Sequence, residues 1–190
     1  MREERFDPPD WPVTVGCVSD THIPGRARSL PRALLDGLAG ADLILHAGDL
    51  VSADVLLELE ALAPTVAVAG NVDPPELAER LGPAVVVGVG GWRVALVHGH
   101  LGRGANTPER ALASVRRARP HVLVFGHSHR PLCGFKDGVL LLNPGSPTDP
   151  RLAPWPSYGL LVLPRPGPGA RPHGEVVKLG DGDSAAPGLG

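Results

Sequence analysis

The sequence predicts a mixed-sheet α/β fold with helices on its outer faces, and three observations carry that expectation. The chain opens with two successive strand–helix–strand steps. It then turns antiparallel at Gly90-Gly91, and after about Ala118 strands follow one another with almost no helix between them. The later strands imply a second sheet packed on the first. A chain of 190 residues has room for one unit with a substantial core, so 1–190 is expected to form a single domain, its core at about 13–179 and its ends, 1–12 and 180–190, flexible.

The first strand is expected at Val13 to Val18, an apolar run after Pro12 that stops at the polar Ser19-Asp20-Thr21-His22. A helix follows at about Ser29 to Leu38, with Leu30, Leu34, Leu35 and Leu38 on one face and Gly40 just past its end. Asp42 to Leu45 makes the second strand. Ser52 then caps a helix that runs to about Leu62, with Asp54 in its first turn and Pro64 as its stop. Thr65 to Ala69 is the third strand, Pro75 to Leu81 a short helix, and Ala84 to Val89 with Arg93 to Val97 a hairpin. Thr107-Pro108-Glu109 opens a helix to about Ala118, ended by Pro120, and Val122 to Phe125 is a buried strand. Leu132 to Phe135 pairs with Val139 to Leu142 across Lys136-Asp137-Gly138, and Tyr158 to Leu163 pairs with Glu175 to Leu179. The Gly/Pro-rich loop 164–172 and the tail after Gly180 are expected to be mobile.

A formal charge of −2 and a pI near 6.4 give no general attraction to polyanions, and 4% aromatics leave little for stacking on bases. A nucleic-acid partner is therefore not expected. Cys17 and Cys133 are too few for a disulfide framework and lack metal-site spacing, which fits buried small residues in a reducing cytosol. Met1 to Pro12 lacks an apolar centre, and no later segment approaches the roughly 20 apolar residues that cross a bilayer, so a soluble, cytoplasmic protein without a membrane anchor is expected.

The informative feature is position. Asp20-x-His22, Gly48-Asp49, Gly70-Asn71, His98-Gly99-His100 and Gly126-His127-x-His129 each follow directly after an apolar strand. Ligands of α/β sheets bind outside the carboxyl ends of strands, so these clusters can meet in one crevice. Two carboxylates (Asp20, Asp49), one amide (Asn71) and four imidazoles (His22, His98, His127, His129) exceed the four ligands of a structural zinc. They suit two divalent ions with a shared ligand and open positions. Oxygen and nitrogen donors without thiolate favour Mn²⁺, Fe²⁺, Ni²⁺, Co²⁺ or Zn²⁺, with Mn²⁺ foremost, over Ca²⁺ or Mg²⁺. Two such ions less two carboxylates leave about +2, a natural host for a phosphate ester, and they lower the pKa of bound water from about 15.7 toward about 7. Hydrolysis by metal-activated water is the expected reaction.

In order and spacing these clusters, with Gly70-Asn71-x-Asp73, resemble the motif series of calcineurin-like metallophosphoesterases. Asn143-Pro144-Gly145-Ser146 and Pro156-Ser157-Tyr158-Gly159 further resemble the small bacterial and archaeal phosphodiesterase branch related to the retromer subunit Vps29, so the likeness spans roughly Val13 to Leu179. The resemblance implies a four-layer α/β/β/α sandwich of two mixed sheets flanked by helices. It places Asp20, His22 and His129 on one ion, Asn71, His98 and His127 on the other, and Asp49 between them. It also implies a phosphodiesterase more than a phosphomonoesterase, because Val72 stands where many members carry a proton-donating His. A scaffold that binds partners, as Vps29 does, is the alternative from another class.

His100 is the candidate replacement acid, and Asp73 is either a partner that orients a ligand or the cap of the next helix. Arg26, Arg28 and Arg103 follow metal clusters and are candidate phosphate contacts, while His46 and His121 read as hydrogen-bonded structural residues. The exposed edges of such a sandwich favour association into homo-oligomers.

Overall fold

The computed structural model describes residues 1–180. One sheet is built from β1 (Arg2–Phe6), β5 (Ala84–Val89), β6 (Trp92–Val97), β7 (Val122–Val124), β9 (Val139–Asn143) and β8 (Leu132–Lys136), in that spatial order. The other runs β11 (His173–Lys178), β10 (Ser157–Leu163), β2 (Val13–Val18), β3 (Leu43–His46) and β4 (Thr65–Ala67). Alternation along the strands sorts the side chains. Val13, Val15 and Cys17 of β2 face inward, where they meet Val85, Val87, Val94, Leu96, Val122 and Leu142 of the opposite sheet. Val18 and Ile44 face outward onto α1 (Arg32–Leu38), α2 (Asp54–Glu60) and α3 (Pro75–Leu81) through Leu34, Leu38, Leu59 and Leu77. On the other outer face Val86, Ala95, Leu123 and Phe125 pack on Ala111 and Val115 of α4 (Thr107–Val115). Each fully buried leucine of these layers contributes roughly 1.5–3 kcal/mol, and three clusters separated by two sheets make the four-layer α/β/β/α sandwich.

Pairing follows the sequence pattern. β2, β3 and β4 are mutually parallel, as are β6, β7 and β9, while β5–β6, β8–β9 and β10–β11 are antiparallel hairpins. Consequently β2, β3 and β4 of one sheet and β6, β7 and β9 of the other end at one edge.

Four expectations need correction. Cys17 is buried as expected, but Cys133 is exposed on β8, an edge strand of its sheet. The segment 1–12 is not loose, because β1 pairs in parallel with β5 along Arg2 to Phe6, and the Arg2 guanidinium donates to the carbonyls of Leu81 (2.9 Å) and Ala67 (3.1 Å). The loop 164–172 is anchored, since the Trp92 indole donates to Pro164 O at 2.8 Å and Ala170 packs on the inner core. Helix α1 begins at Arg32 instead of Ser29, because Pro31 holds its N-cap position in an extended conformation. The expectation for the tail beyond Gly180 lies outside the described residues.

Candidate metal centre

The strand ends bring all seven expected ligands together. Asp20 and His22 follow β2, Asp49 follows β3, Asn71 follows β4, His98 follows β6, and His127 and His129 follow β7. His22 Nε2 lies 3.2 Å from His129 Nε2, which in turn lies 3.3 Å from Asp20 Oδ1. Asn71 Oδ1 lies 3.1 Å from His98 Nε2 and 2.9 Å from His127 Nδ1. Between these two groups sits Asp49 Oδ2, 3.7 Å from His22 Nε2 and 3.3 Å from His98 Nε2, where a bridging oxygen belongs. The ligand atoms of Asp20, His22 and His129 fall within 4.8 Å of one another, as do those of Asp20, Asp49 and His98. Asp20 thus reaches both groups, a wider reach than the family pattern assigns it.

The turns that hold these side chains are tight. Asp20 (φ 56°), His22 (47°), Asp49 (59°), His127 (70°) and His129 (54°) all adopt left-handed backbone, a conformation that costs non-glycine residues energy and recurs at functional sites. Two glycines let the turns interlock. A Cβ on Gly126 would collide with Ser19 Oγ, and one on Gly70 with the Asp49 carboxylate.

A surrounding shell fixes the orientation of each ligand. His98 Nδ1 donates to Ala47 O at 2.8 Å and His129 Nδ1 donates to Asp149 O, so both rings turn Nε2 into the site. Asp20 Oδ2 accepts from Ser19 Oγ (2.5 Å) and from the His127 amide (3.0 Å). Ser146 Oγ donates to Asp20 O at 2.7 Å, which places the Asn143–Ser146 turn against the centre. Asp73 spends its carboxylate on the amides of Asp49, Val51 and Gly70, whereas α3 has no side-chain cap. It therefore ties the β3 and β4 turns together and does not cap α3. His46, buried, accepts from the Gly48 amide and meets Thr21 Oγ1, each at 3.2 Å, so it ties the first two ligand turns together. His100 stands beside the centre, its ring 5.3 Å from that of His98 and its Nδ1 buried without a hydrogen-bond partner.

Charge is concentrated where solvent is scarce. Burial pushes the Asp20 carboxyl up, but His129, His98 and Ser19 together pull it below its ordinary value. Asp49 is likewise opposed by burial yet held at about 2, chiefly by His98. The carboxylates hold protons on their neighbours in return: against burial, Asp49 and Asp20 raise His98, and Asp20 raises His129. Burial lowers His22, His100 and His127. His46 is pushed down to about 4 by its complete burial.

Asp20 Oδ1 tests whether divalent ions fit. It is buried and accepts no hydrogen bond, with His129 Nε2 at 3.3 Å as a neighbouring counter-charge, a position that a metal ion held by the same two atoms would also satisfy. His98 and His129 each turn Nε2 toward the carboxylates, so a metal ion bound there would take the place of a proton on that nitrogen. The oxygen and imidazole donors therefore fit divalent metal. Among the described residues no helix is long and apolar enough to cross a membrane.

Sequence reasoning missed two contributors. Ser19 adjoins a cluster but carries no spacing signal, and Asp149 acts through its backbone carbonyl. Of the expected phosphate contacts, Arg26 instead pairs with Asp149 at 3.4 Å, and Arg28 and Arg103 are exposed.

Residues 13–164 match the calcineurin-like phosphoesterase superfamily domain. A probable metallophosphoesterase of Methanothermobacter thermautotrophicus is 38% identical over 168 residues, covering 88% of this chain and 94% of that protein. The probable metallophosphoesterase YsnB of Bacillus subtilis is 30% identical over 151 residues, covering 80% and 85%. Among solved structures, Vps29 of Cryptosporidium parvum superimposes with a TM-score of 0.74 at 26% identity over 92% of this chain and 95% of that one. The zinc complex of Vps29 from Entamoeba histolytica gives 0.66 at 25% identity over 87% and 99%. Strand-end chemistry, layer order and kinship over most of the chain agree, and the chain belongs to the calcineurin-like phosphoesterase superfamily.

Proposed function

We propose that the protein is a dinuclear-metal phosphodiesterase, with Asp20, His22 and His129 holding one ion, Asn71, His98 and His127 the other, and Asp49 bridging them. The observation that carries this reading is the place of Asp49 Oδ2, between His22 Nε2 and His98 Nε2. When bound, the two ions supply a Lewis-acidic clamp on the phosphate and water activated for in-line attack at neutral pH. The protein's own groups do the rest. Asp20 and Asp49 offset part of the positive charge, and the amide donors on Asp73 keep the Asp49 turn in register. His100 serves as the proton donor to the leaving oxygen in this reading, supported by its ring standing 5.3 Å from that of His98. Val72 offers no proton, which favours esters whose leaving groups depart unaided and so diesters of acidic alcohols over monoesters.

Likeness to Vps29 supports a second reading, a partner-binding scaffold with a vestigial centre. Stripped protein re-supplied with Mn²⁺, Ni²⁺, Co²⁺, Zn²⁺ or Mg²⁺ should hydrolyse bis(p-nitrophenyl) phosphate faster than p-nitrophenyl phosphate. In Asp49→Asn the rate should fall below roughly one-hundredth, beyond the 10–100-fold typical of residues that only orient ligands. Preference for the monoester would point to a phosphomonoesterase, and no turnover by protein that binds two ions would favour the scaffold.

A further inference from the structure

Three buried side-chain polar atoms among the described residues lack a hydrogen-bond partner: Asp20 Oδ1, His100 Nδ1 and Arg110 Nε. The first faces the proposed ions. The other two lie on the arm that leads from β6 into α4. Arg110 is held there by a hydrogen bond from its Nη2 to Thr107 Oγ1 at 3.2 Å. Thr107 in turn packs on the His98-Gly99-His100 turn, where its Cγ2 stands 3.0 Å from the position a Cβ on Gly99 would take. Through Thr107 the guanidinium is thus tied to the side of the His98-Gly99-His100 turn.

Arg110 is also uncompensated. At the opposite pole Arg26 and Arg151 share the Asp149 carboxylate, at 3.4 and 3.3 Å. Arg110 has no acidic partner among the described residues, and its neighbour Glu109 is occupied by the Ala105 amide and Lys136. A partly buried cation without a counter-ion, beside a centre that carries two divalent ions, has an unmet requirement for negative charge. Asp49 Oδ2 is already bounded by His22 and His98, whereas Arg110 stands on the α4 side of the His98-Gly99-His100 turn, through Thr107.

We propose that Arg110 is a specificity-determining residue that binds a second phosphate, carried by a phosphodiester substrate whose scissile phosphate sits on the metal centre. This rests on the phosphodiesterase reading above and deepens it: the substrate class is a diester bearing a further phosphate on the side of the His98-Gly99-His100 turn against which Thr107 packs. Thr107 sets the angle of the fork, and the terminal nitrogens of the guanidinium supply donors for charge-assisted bonds.

The test compares two product-like probes, thymidine 5′-monophosphate and thymidine 3′,5′-bisphosphate, by titration calorimetry on the metal-loaded protein. One charge-assisted contact corresponds to a preference for the bisphosphate of roughly tenfold or more. Arg110→Gln should bring that ratio close to one, and Arg110→Lys should restore part of it while showing that the helix still folds. Equal affinity in the unaltered protein, or a preference that survives Arg110→Gln, would overturn the proposal. Hydrolysis of bis(p-nitrophenyl) phosphate by the same loaded protein separates the two levels. Turnover without the preference removes the second-phosphate subsite alone, and an Arg110-dependent preference without turnover retains the subsite and removes the phosphodiesterase reading.

Discussion

The carboxylate of Asp73 accepts the backbone amide of Asp49 at 3.0 Å, and the same side chain takes the amides of Gly70 at 2.7 Å and Val51 at 2.7 Å. One residue thereby joins the β3 turn to the β4 turn and holds Asp49 (φ 59°) and Val51 (φ 76°) in left-handed backbone. Asp73→Ala should lose the three bonds together, costing roughly 2–4 kcal/mol of stability. Metal affinity should fall about 10–100-fold, as is usual when a residue that orients a ligand is removed. Urea unfolding of stripped protein and calorimetric metal titration measure the two effects separately. Unchanged affinity in a folded variant would leave Asp73 a purely structural residue.

Burial of His46 makes the metal-stripped protein sensitive to acid. Its folded pKa of about 4 lies below the unfolded value of about 6.5, so the unfolded chain binds more protons between them and stability rises with pH across that window. The contribution is complete above about pH 6.5 and is lost as pH falls toward 4. Between pH 6.5 and 5 the loss is about 2 kcal/mol, at about 1.4 kcal/mol per unit. His46→Gln should show a shallower decline over this range by that amount in urea unfolding at each pH. Parallel curves for the two proteins would show that His46 is not the group responsible.

Val72 is 46% exposed, and its amide donates to Asp49 Oδ1 at 3.0 Å, so its side chain stands at the rim of the centre without packing duties. Val72→His should fold normally and raise turnover of esters with poor leaving groups, by up to roughly 10²-fold if the imidazole reaches the leaving oxygen. His100→Ala should do the reverse, slowing poor leaving groups more than good ones. A series of aryl phosphodiesters of graded leaving-group pKa reads both slopes. Equal loss across the series in His100→Ala would end its candidacy as the acid.

The centre was legible because its signals are local: a polar His or Asp placed immediately after an apolar run names both the residue and the strand end that carries it. Asp20, Asp49, His98 and His129 could be assigned in this way before any contact was known. What escaped depends on partners far along the chain. Arg2-Glu3-Glu4-Arg5 is too charged to read as a strand, and it becomes one because β5 offers an open edge and because the carbonyls of Ala67 and Leu81 receive Arg2. The reading of Asp73 stayed divided between capping and orienting until the amides of Asp49 and Val51, more than 20 positions away, were seen to converge on it. Arg110 has no sequence signature, since its tie through Thr107 to the His98-Gly99-His100 turn follows from how α4 docks on the first sheet.

The hydrogen bond from the His127 amide to Asp20 Oδ2 crosses from one sheet to the other. The candidate ligand set is therefore split between two halves that touch only after the layers dock, and divalent ions bound there would act as a staple across that seam. By mass action their binding adds about 2.7 kcal/mol of stability per site at a free concentration 100 times the dissociation constant. Thermal melting should rise with added metal and fall with chelator. The rise should be strongly reduced in Asp20→Asn, which alters the carboxylate that meets the His127 amide across the seam. Metal bound there would act as a folding constraint added to the apolar core that already joins the two sheets.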